Sequence, residues 1–206
     1  MAPQPTAPQT VVVVGHGMVG HRFVEALRTR DTENTWRVIV LGEESDAAYD
    51  RVGLSNYVGT WERSSLALTG NDYAGDTQVE LRLGNAVTAI DRDARTVTLA
   101  DGESVAYDAL VLATGSYAFV PPVPGHDSAG CHVYRTLDDL DDIRGDAQRA
   151  LEKDPGAVGI VVGGGLLGLE AANGLMKRGM QVTVVHASEW LMERQLDPVA
   201  GQMLQK

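Results

Sequence analysis

Two glycine fingerprints constrain this chain more than any other feature. Gly15-His16-Gly17-Met18-Val19-Gly20 follows an apolar run at 11–14, and Gly163-Gly164-Gly165-Leu166-Leu167-Gly168 follows a second run at 158–162. The G-x-G-x-x-G spacing turns a strand sharply into a helix and lets the backbone approach a pyrophosphate. The helix N-terminus then offers unpaired N–H groups and a partial positive charge to the anion. One such motif is a weak signal, because tight turns use glycine too. Two of them, 148 residues apart, read as two dinucleotide sites in one chain. A chain that holds two dinucleotides usually moves electrons between them.

The 206 residues, 44% hydrophobic, suffice for a buried core in one domain or two small ones. A net charge of −11 argues against nucleic acid as a partner, which requires a basic face. No apolar run approaches the roughly 20 residues of a membrane span. Residues 1–10 are proline-rich and uncharged, and read as a short disordered leader rather than a secretion signal. The single cysteine, Cys131, excludes a disulfide framework, a thiolate zinc site and a four-cysteine iron–sulfur cluster. The expected location is cytoplasmic.

The pattern predicts an α/β fold of two Rossmann-like units. In the first, a strand at 11–14 leads to a helix at 18–29 with Val19, Phe23 and Leu27 on one face, then to a strand at 37–41. Residues 45–78 read as irregular. Short alternating runs from 79 to 113 read as a β-meander around turns at 91–95 and Asp101-Gly102, closed by an apolar strand at 109–113. Val120-Pro121-Pro122-Val123-Pro124-Gly125 reads as a linker. Thr136 is placed to cap a helix reaching about Ala150, with Leu137, Leu140 and Ile143 inward and the aspartates at 138, 139, 141 and 142 outward. A second β–α–β run covers 158–162, 166–178 and 181–185, and a further helix begins at Pro198. The expected division is a leader (1–10), a first nucleotide domain (11–118), a linker and helix (119–149) and a partial second nucleotide domain (150–206).

Several residues stand where such chemistry needs them. Glu43 ends the second strand 23 residues past Gly20, where an acid accepts hydrogen bonds from the adenosine ribose; the plainer alternative is an exposed loop glutamate. Ala113-Thr114-Gly115 ends a strand in small residues, which lets backbone pass close to a cofactor; the alternative is a simple turn. The second site lacks an acid at the matching place. His186 stands there instead, 18 residues past Gly168, either to bond a ribose hydroxyl, to favour a 2′-phosphate when protonated, or as a surface histidine. Glu170 either faces the nicotinamide side of its cleft or lies on the helix surface. His16, His21, His126, His132, Cys131 and the three tryptophans carry no pattern of their own and read as packing or surface residues.

Together these features resemble the two-dinucleotide flavoprotein reductases. Six stretches resemble more narrowly the large subunits of assimilatory NAD(P)H nitrite reductases. They are Val-Val-Gly-His-Gly-Met-Val-Gly-His-Arg-Phe (13–23), Tyr-Asp-Arg-Val-Gly-Leu-Ser (49–55), Leu-Ala-Thr-Gly-Ser-Tyr (112–117), Val-Tyr-Arg-Thr-Leu-Asp-Asp-Leu (133–140), Gly-Gly-Gly-Leu-Leu-Gly-Leu-Glu-Ala-Ala (163–172) and Leu-Met-Glu-Arg-Gln-Leu-Asp (191–197). The resemblance implies FAD contacts at Gly15, Gly17, Gly20, Glu43, Arg51, Ser55, Ala113, Thr114 and Gly115, with the backbone of Val87 at the adenine edge. It implies NAD(P)H at Gly163, Gly165, Gly168, Glu170 and His186. Asn56 replaces the lysine of many ferredoxin-serving relatives, and no paired cysteines follow the first unit, which speaks against the dithiol branch.

The resemblance also implies that family members extend past residue 206, into a segment that closes the FAD site and into iron–sulfur and sirohaem domains. The function expected from it is hydride transfer from NAD(P)H to FAD, with onward electron transfer to a centre supplied elsewhere. No side chain is needed as acid or base. The alternatives are a ferredoxin-, rubredoxin- or NADH-oxidase-type reductase, and a non-catalytic FAD-binding module.

Overall fold

The computed structural model describes residues 8–205. The expected disordered leader lies outside the described residues as far as residue 7; its last two positions, Gln9 and Thr10, belong to the first strand. The chain forms two compact units.

The first unit takes the residues up to Arg51 together with Leu66–Tyr117. Strand β1 (Gln9–Val14), helix α1 (Met18–Arg30) and strand β2 (Trp36–Leu41) make the first crossover. Strands β3 (Val79–Arg82) and β7 (Ala109–Leu112) complete a parallel four-stranded sheet of order β3-β2-β1-β7. Strands β4 (Val87–Asp91), β5 (Thr96–Leu99) and β6 (Ser104–Ala106) form a separate antiparallel meander. The meander is therefore shorter than its sequence suggests, because β3 pairs with β2.

Alternation along β1 and β2 sends side chains to opposite faces, and both faces are covered. Val12, Val14, Ile39 and Leu41 pack on Val97, Leu99 and Val105 of the meander. Val11, Val13, Val38 and Val40 pack on Val24, with Phe23 and Leu27 of α1 beside them. This is why uninterrupted valines, rather than an alternating pattern, mark β1. The inward stripe of α1 is Gly20, Phe23, Val24 and Leu27, an i, i+3, i+4, i+7 set. Val19, expected inward, is 71% exposed.

The second unit takes Val52–Ser65 and the residues from Ala118 onward. The sequence division assigns 52–65 to the first domain and reads it as irregular. Instead it carries helix α2 (Leu54–Thr60), preceded by a 3-10 turn at Arg51–Gly53 and followed by another at Arg63–Leu66. Within this unit α2 lies against helix α4 (Leu166–Lys177), so closely that a Cβ on Gly174 would meet Val58 Cγ1 at 2.8 Å.

Helix α3 (Leu137–Lys153) opens with a reciprocal capping box: the Thr136 hydroxyl accepts from the Asp139 N–H, and the Asp139 carboxylate accepts from the Thr136 N–H. Its acidic face is not simply solvated. Asp141 accepts from the Tyr57 hydroxyl at 2.6 Å and pairs with Arg63, which also reaches Asp138.

Strands β8 (Val158–Val162) and β9 (Gln181–Val185) pair in parallel on either side of α4 in the chain. Val161 is buried, whereas Val158, Ile160 and Val162 on the opposite face of β8 are exposed. The last helix, α5 (Pro198–Leu204), is capped by the Asp197 carboxylate at the Ala200 N–H. Among the described residues no helix is long and apolar enough to cross a membrane, and no group of three or more His, Cys, Asp or Glu is placed to hold a metal.

Candidate functional site

The two fingerprints build similar cradles, alike in the positive φ of the first glycine, the open space at the N-cap glycine and the close packing at the last. In the first loop, Gly15 has φ +105°, and its N–H donates to Leu41 O at 2.8 Å. A Cβ on it would lie 2.3 Å from Ala113 O, because β7 ends directly beside the loop and Ala113 N–H donates to Val14 O at 2.7 Å. A Cβ on Gly20 would lie 2.0 Å from Gly15 O. Gly15 and Gly20 are thus required by close packing of backbone on backbone. Gly17 differs: nothing lies within 4 Å of a Cβ there. It is the N-cap of α1, without a side-chain cap and without an acid in the first turn.

The second loop repeats this geometry except at its first glycine, where nothing lies within 4 Å of a Cβ on Gly163. Gly163 has φ +116° and donates to Val185 O at 2.8 Å, and a Cβ on Gly168 would lie 1.9 Å from Gly163 O. Gly165 has open space, caps α4 without a side chain, and again no acid occupies the first turn. In both loops the helix start keeps its unpaired donors and its positive end un-neutralised, with clear space in front. An open glycine there fits a pyrophosphate; a side chain would fill the place.

Of the other residues expected at the first site, Ala113 and Thr114 lie against the first loop. The pairing of β7 with β1 brings Ala113, Thr114 and Gly115 to Gly15, and Gly115 takes φ +71°. Glu43 is exposed just past the end of β2, and its carboxylate accepts from the Tyr117 hydroxyl at 3.2 Å. That negative charge raises the Tyr117 phenol above its usual range. Arg51 is held by the Glu44 carboxylate and lies 4.8 Å from the centre of the Tyr49 ring, while the Tyr49 hydroxyl donates to Glu44 at 2.7 Å. Val87 opens β4 at a register irregularity between Val87 and Ala89, half-buried against the meander core. Ser55, expected at the FAD site, lies in the first turn of α2 in the second unit.

In the second unit His186 is engaged inside the chain. Its Nδ1 accepts the Gly164 N–H at 3.0 Å, and its Nε2 stands 3.0 Å from the Glu193 carboxylate. Glu170 is half-buried in α4, and burial raises its carboxyl. The Tyr134 hydroxyl, buried and without a hydrogen-bond partner among the described residues, is pushed up to about 12 by burial and then by Glu170.

Sequence reasoning missed a buried cluster behind the first loop. His16, treated as incidental, donates from Nε2 to Asn71 O at 2.9 Å and lies 5.5 Å, centre to centre, from the Tyr73 ring. His21 is 4% exposed, with Nδ1 3.1 Å from the Tyr73 hydroxyl. Burial raises Tyr73 and lowers His16. Tyr73 lies more than 50 residues downstream of both histidines, so no local spacing announces the cluster.

The lowered His16 has a consequence for stability. The unfolded chain takes up a proton near pH 6.5 that the folded imidazole resists, so stability is complete above that pH and falls below it. The loss is at most about 1.4 kcal/mol per pH unit for one group. Urea unfolding at pH 7.5 and 5.5 is expected to give a smaller difference for His16→Gln than for the parent protein. Equal differences would remove His16 as the cause.

The chain matches the family model described as pyridine nucleotide-disulphide oxidoreductase over residues 9–206. It is 50% identical over 196 residues to the nitrite reductase [NAD(P)H] large subunit of Klebsiella oxytoca, covering 95% of this chain and 20% of that protein. It is 33% identical to the assimilatory nitrate reductase electron transfer subunit of Bacillus subtilis, covering 96% of this chain and 25% of the relative. The chain thus spans about a fifth to a quarter of the length of these relatives. Among solved structures it superimposes on a ferredoxin reductase from Rhodopseudomonas palustris with a TM-score of 0.82 at 28% identity, covering 96% of this chain and 47% of that one. With two glycine cradles built alike and a family match across nearly all of its length, the chain belongs to the pyridine nucleotide-disulphide oxidoreductase family.

Proposed function

We propose that this chain is the FAD- and NAD(P)H-binding electron-entry module of an assimilatory nitrite reductase, and that it works in the cytoplasm. The observation that carries the reading is the duplicated cradle: one open, uncapped glycine at the start of each of two helices, each followed by a glycine on which a Cβ would stand 2.0 Å or less from a backbone oxygen. The 50% identity to a nitrite reductase large subunit supports the choice within the family.

FAD, when bound, supplies the centre that takes a hydride from the nicotinamide and passes electrons on. The residues of the chain bind and orient. The N–H groups at Gly17 and the positive end of α1 receive the FAD pyrophosphate, while Gly15 and Gly20 keep that loop tight. Glu43 accepts from the adenosine ribose, and the backbone at Val87 meets the adenine edge. Arg51 opposes the phosphate charge with a guanidinium that Glu44 and Tyr49 hold in one orientation. Ala113, Thr114 and Gly115 are small enough to let the cofactor lie against backbone. Gly163, Gly165 and Gly168 repeat the pyrophosphate cradle for NAD(P)H, with Glu170 toward the nicotinamide. His186 serves the second site by holding its loop. No side chain needs to act as acid or base, so activity depends on placement.

The onward acceptor is a centre outside these 206 residues, whose single cysteine cannot ligate a four-cysteine cluster. The purified protein reconstituted with FAD is expected to reduce ferricyanide with NADH or NADPH while consuming no nitrite. Absence of FAD-dependent ferricyanide reduction by a folded, flavin-loaded protein would contradict the reading.

A further inference from the structure

The second site lacks an acid at the end of β9, where this fold normally places the residue that reads the ribose. The chain returns one from further along. Glu193 stands 25 residues past Gly168, in the turn between β9 and α5, and its carboxylate is held 3.0 Å from His186 Nε2. Because Nδ1 accepts the Gly164 N–H, Nε2 is the ring nitrogen that carries a hydrogen toward Glu193. The turn is fastened to the same glycine from the other side, where the Met192 N–H donates to Gly164 O at 2.9 Å. A Cβ on Gly164 would meet both Leu191, at 2.5 Å, and His186, at 2.8 Å. The middle glycine of the loop is therefore clamped between the two residues that set where Glu193 lies.

We propose that Glu193 is the specificity-determining residue of the second site, that His186 positions it, and that the pair selects NADH over NADPH. The inference rests on the nicotinamide reading of the second loop. Glu193 is exposed, so one edge of its carboxylate remains available while His186 holds the other. An ionised carboxylate accepts hydrogen bonds from the ribose 2′- and 3′-hydroxyls of NADH and repels a 2′-phosphate at the same place. His186 is then neither a ribose ligand nor a phosphate ligand, because both of its nitrogens are committed within the chain. Arg194, the next residue, is exposed and is the positive group of this turn. If the turn instead presented Arg194 to the ribose, the preference would be reversed.

Calorimetry with ADP-ribose and 2′-phospho-ADP-ribose tests this without any turnover. The protein is expected to bind ADP-ribose at least about tenfold more tightly than the phosphorylated compound. Glu193→Gln should lower that ratio about tenfold, and His186→Ala should lower it in the same direction with the exposed Glu193 intact. Arg194→Ala should leave it unchanged. A preference for the phosphorylated ligand that Arg194→Ala abolishes would overturn the proposal in favour of Arg194. Tight binding of both ligands with a ratio indifferent to Glu193→Gln would overturn it while leaving the nicotinamide reading in place. Binding of neither ligand by the folded protein would remove that reading and this proposal with it.

Discussion

Gly20→Ala is expected to unfold the first unit and abolish flavin binding, whereas Gly17→Ala is expected to leave the unit folded and weaken flavin binding alone. The two glycines belong to one motif, and their environments are opposite. A Cβ on Gly20 would stand 2.0 Å from Gly15 O, and no rotamer relieves a contact made by backbone on both sides. Gly15 cannot retreat, since it sits against Ala113 with φ +105° and is tied to Leu41 O. Opening the loop means separating β1 from the start of α1, in a core where Val12, Val13 and Val24 are fully buried. Overpacking of this kind costs about 3 kcal/mol or more, a large share of a small unit's stability. At Gly17 the added methyl meets nothing, and φ is −91°, open to any residue. Its cost falls on the ligand whose pyrophosphate needs the space. Thermal unfolding and flavin content of both variants check this pair, and equal stabilities would contradict the division of roles.

Gly168→Ala is expected to eliminate reduction by NADH or NADPH while the protein still retains FAD. The added Cβ would stand 1.9 Å from Gly163 O, the same conflict transferred to the second loop. The second unit has less to resist it with, because the outer face of β8 is exposed at Val158, Ile160 and Val162. On the proposed reading the pyridine nucleotide cradle is lost, while the glycines proposed for FAD belong to the first unit and to other strands. The readout is the flavin band of the variant: present after purification, and unchanged after anaerobic NADH and NADPH. A variant reduced at the parental rate would show that the second loop takes no part.

Both cradles were legible in the sequence because glycine spacing and apolar runs are local signals, set by backbone sterics within about ten residues. The same holds for the Thr136 cap and for β8, α4 and β9. What failed to show depended on partners distant in the chain. Strand β3 reads as part of a meander until its pairing with β2 is known, since a four-residue strand carries no mark of its partner. Residues 52–65 read as irregular because α2 is a single short helix held by packing on Val58 and Tyr57 rather than by propensity. Val19 looks like a core residue by spacing, yet the demand that Gly20 face Gly15 rotates the helix away from it. His16 and His21 gain their meaning from Tyr73 and Asn71. At the second site, scanning for an acid at one distance past the glycines finds His186, and only the fold brings Glu193 to it.

The most direct measurement is the visible spectrum of the purified, FAD-loaded protein before and after anaerobic addition of NADH. The account predicts about one flavin per chain and bleaching of its band, with slower bleaching by NADPH. A folded protein that binds no flavin, or one whose flavin band is unmoved by either nucleotide, would contradict it.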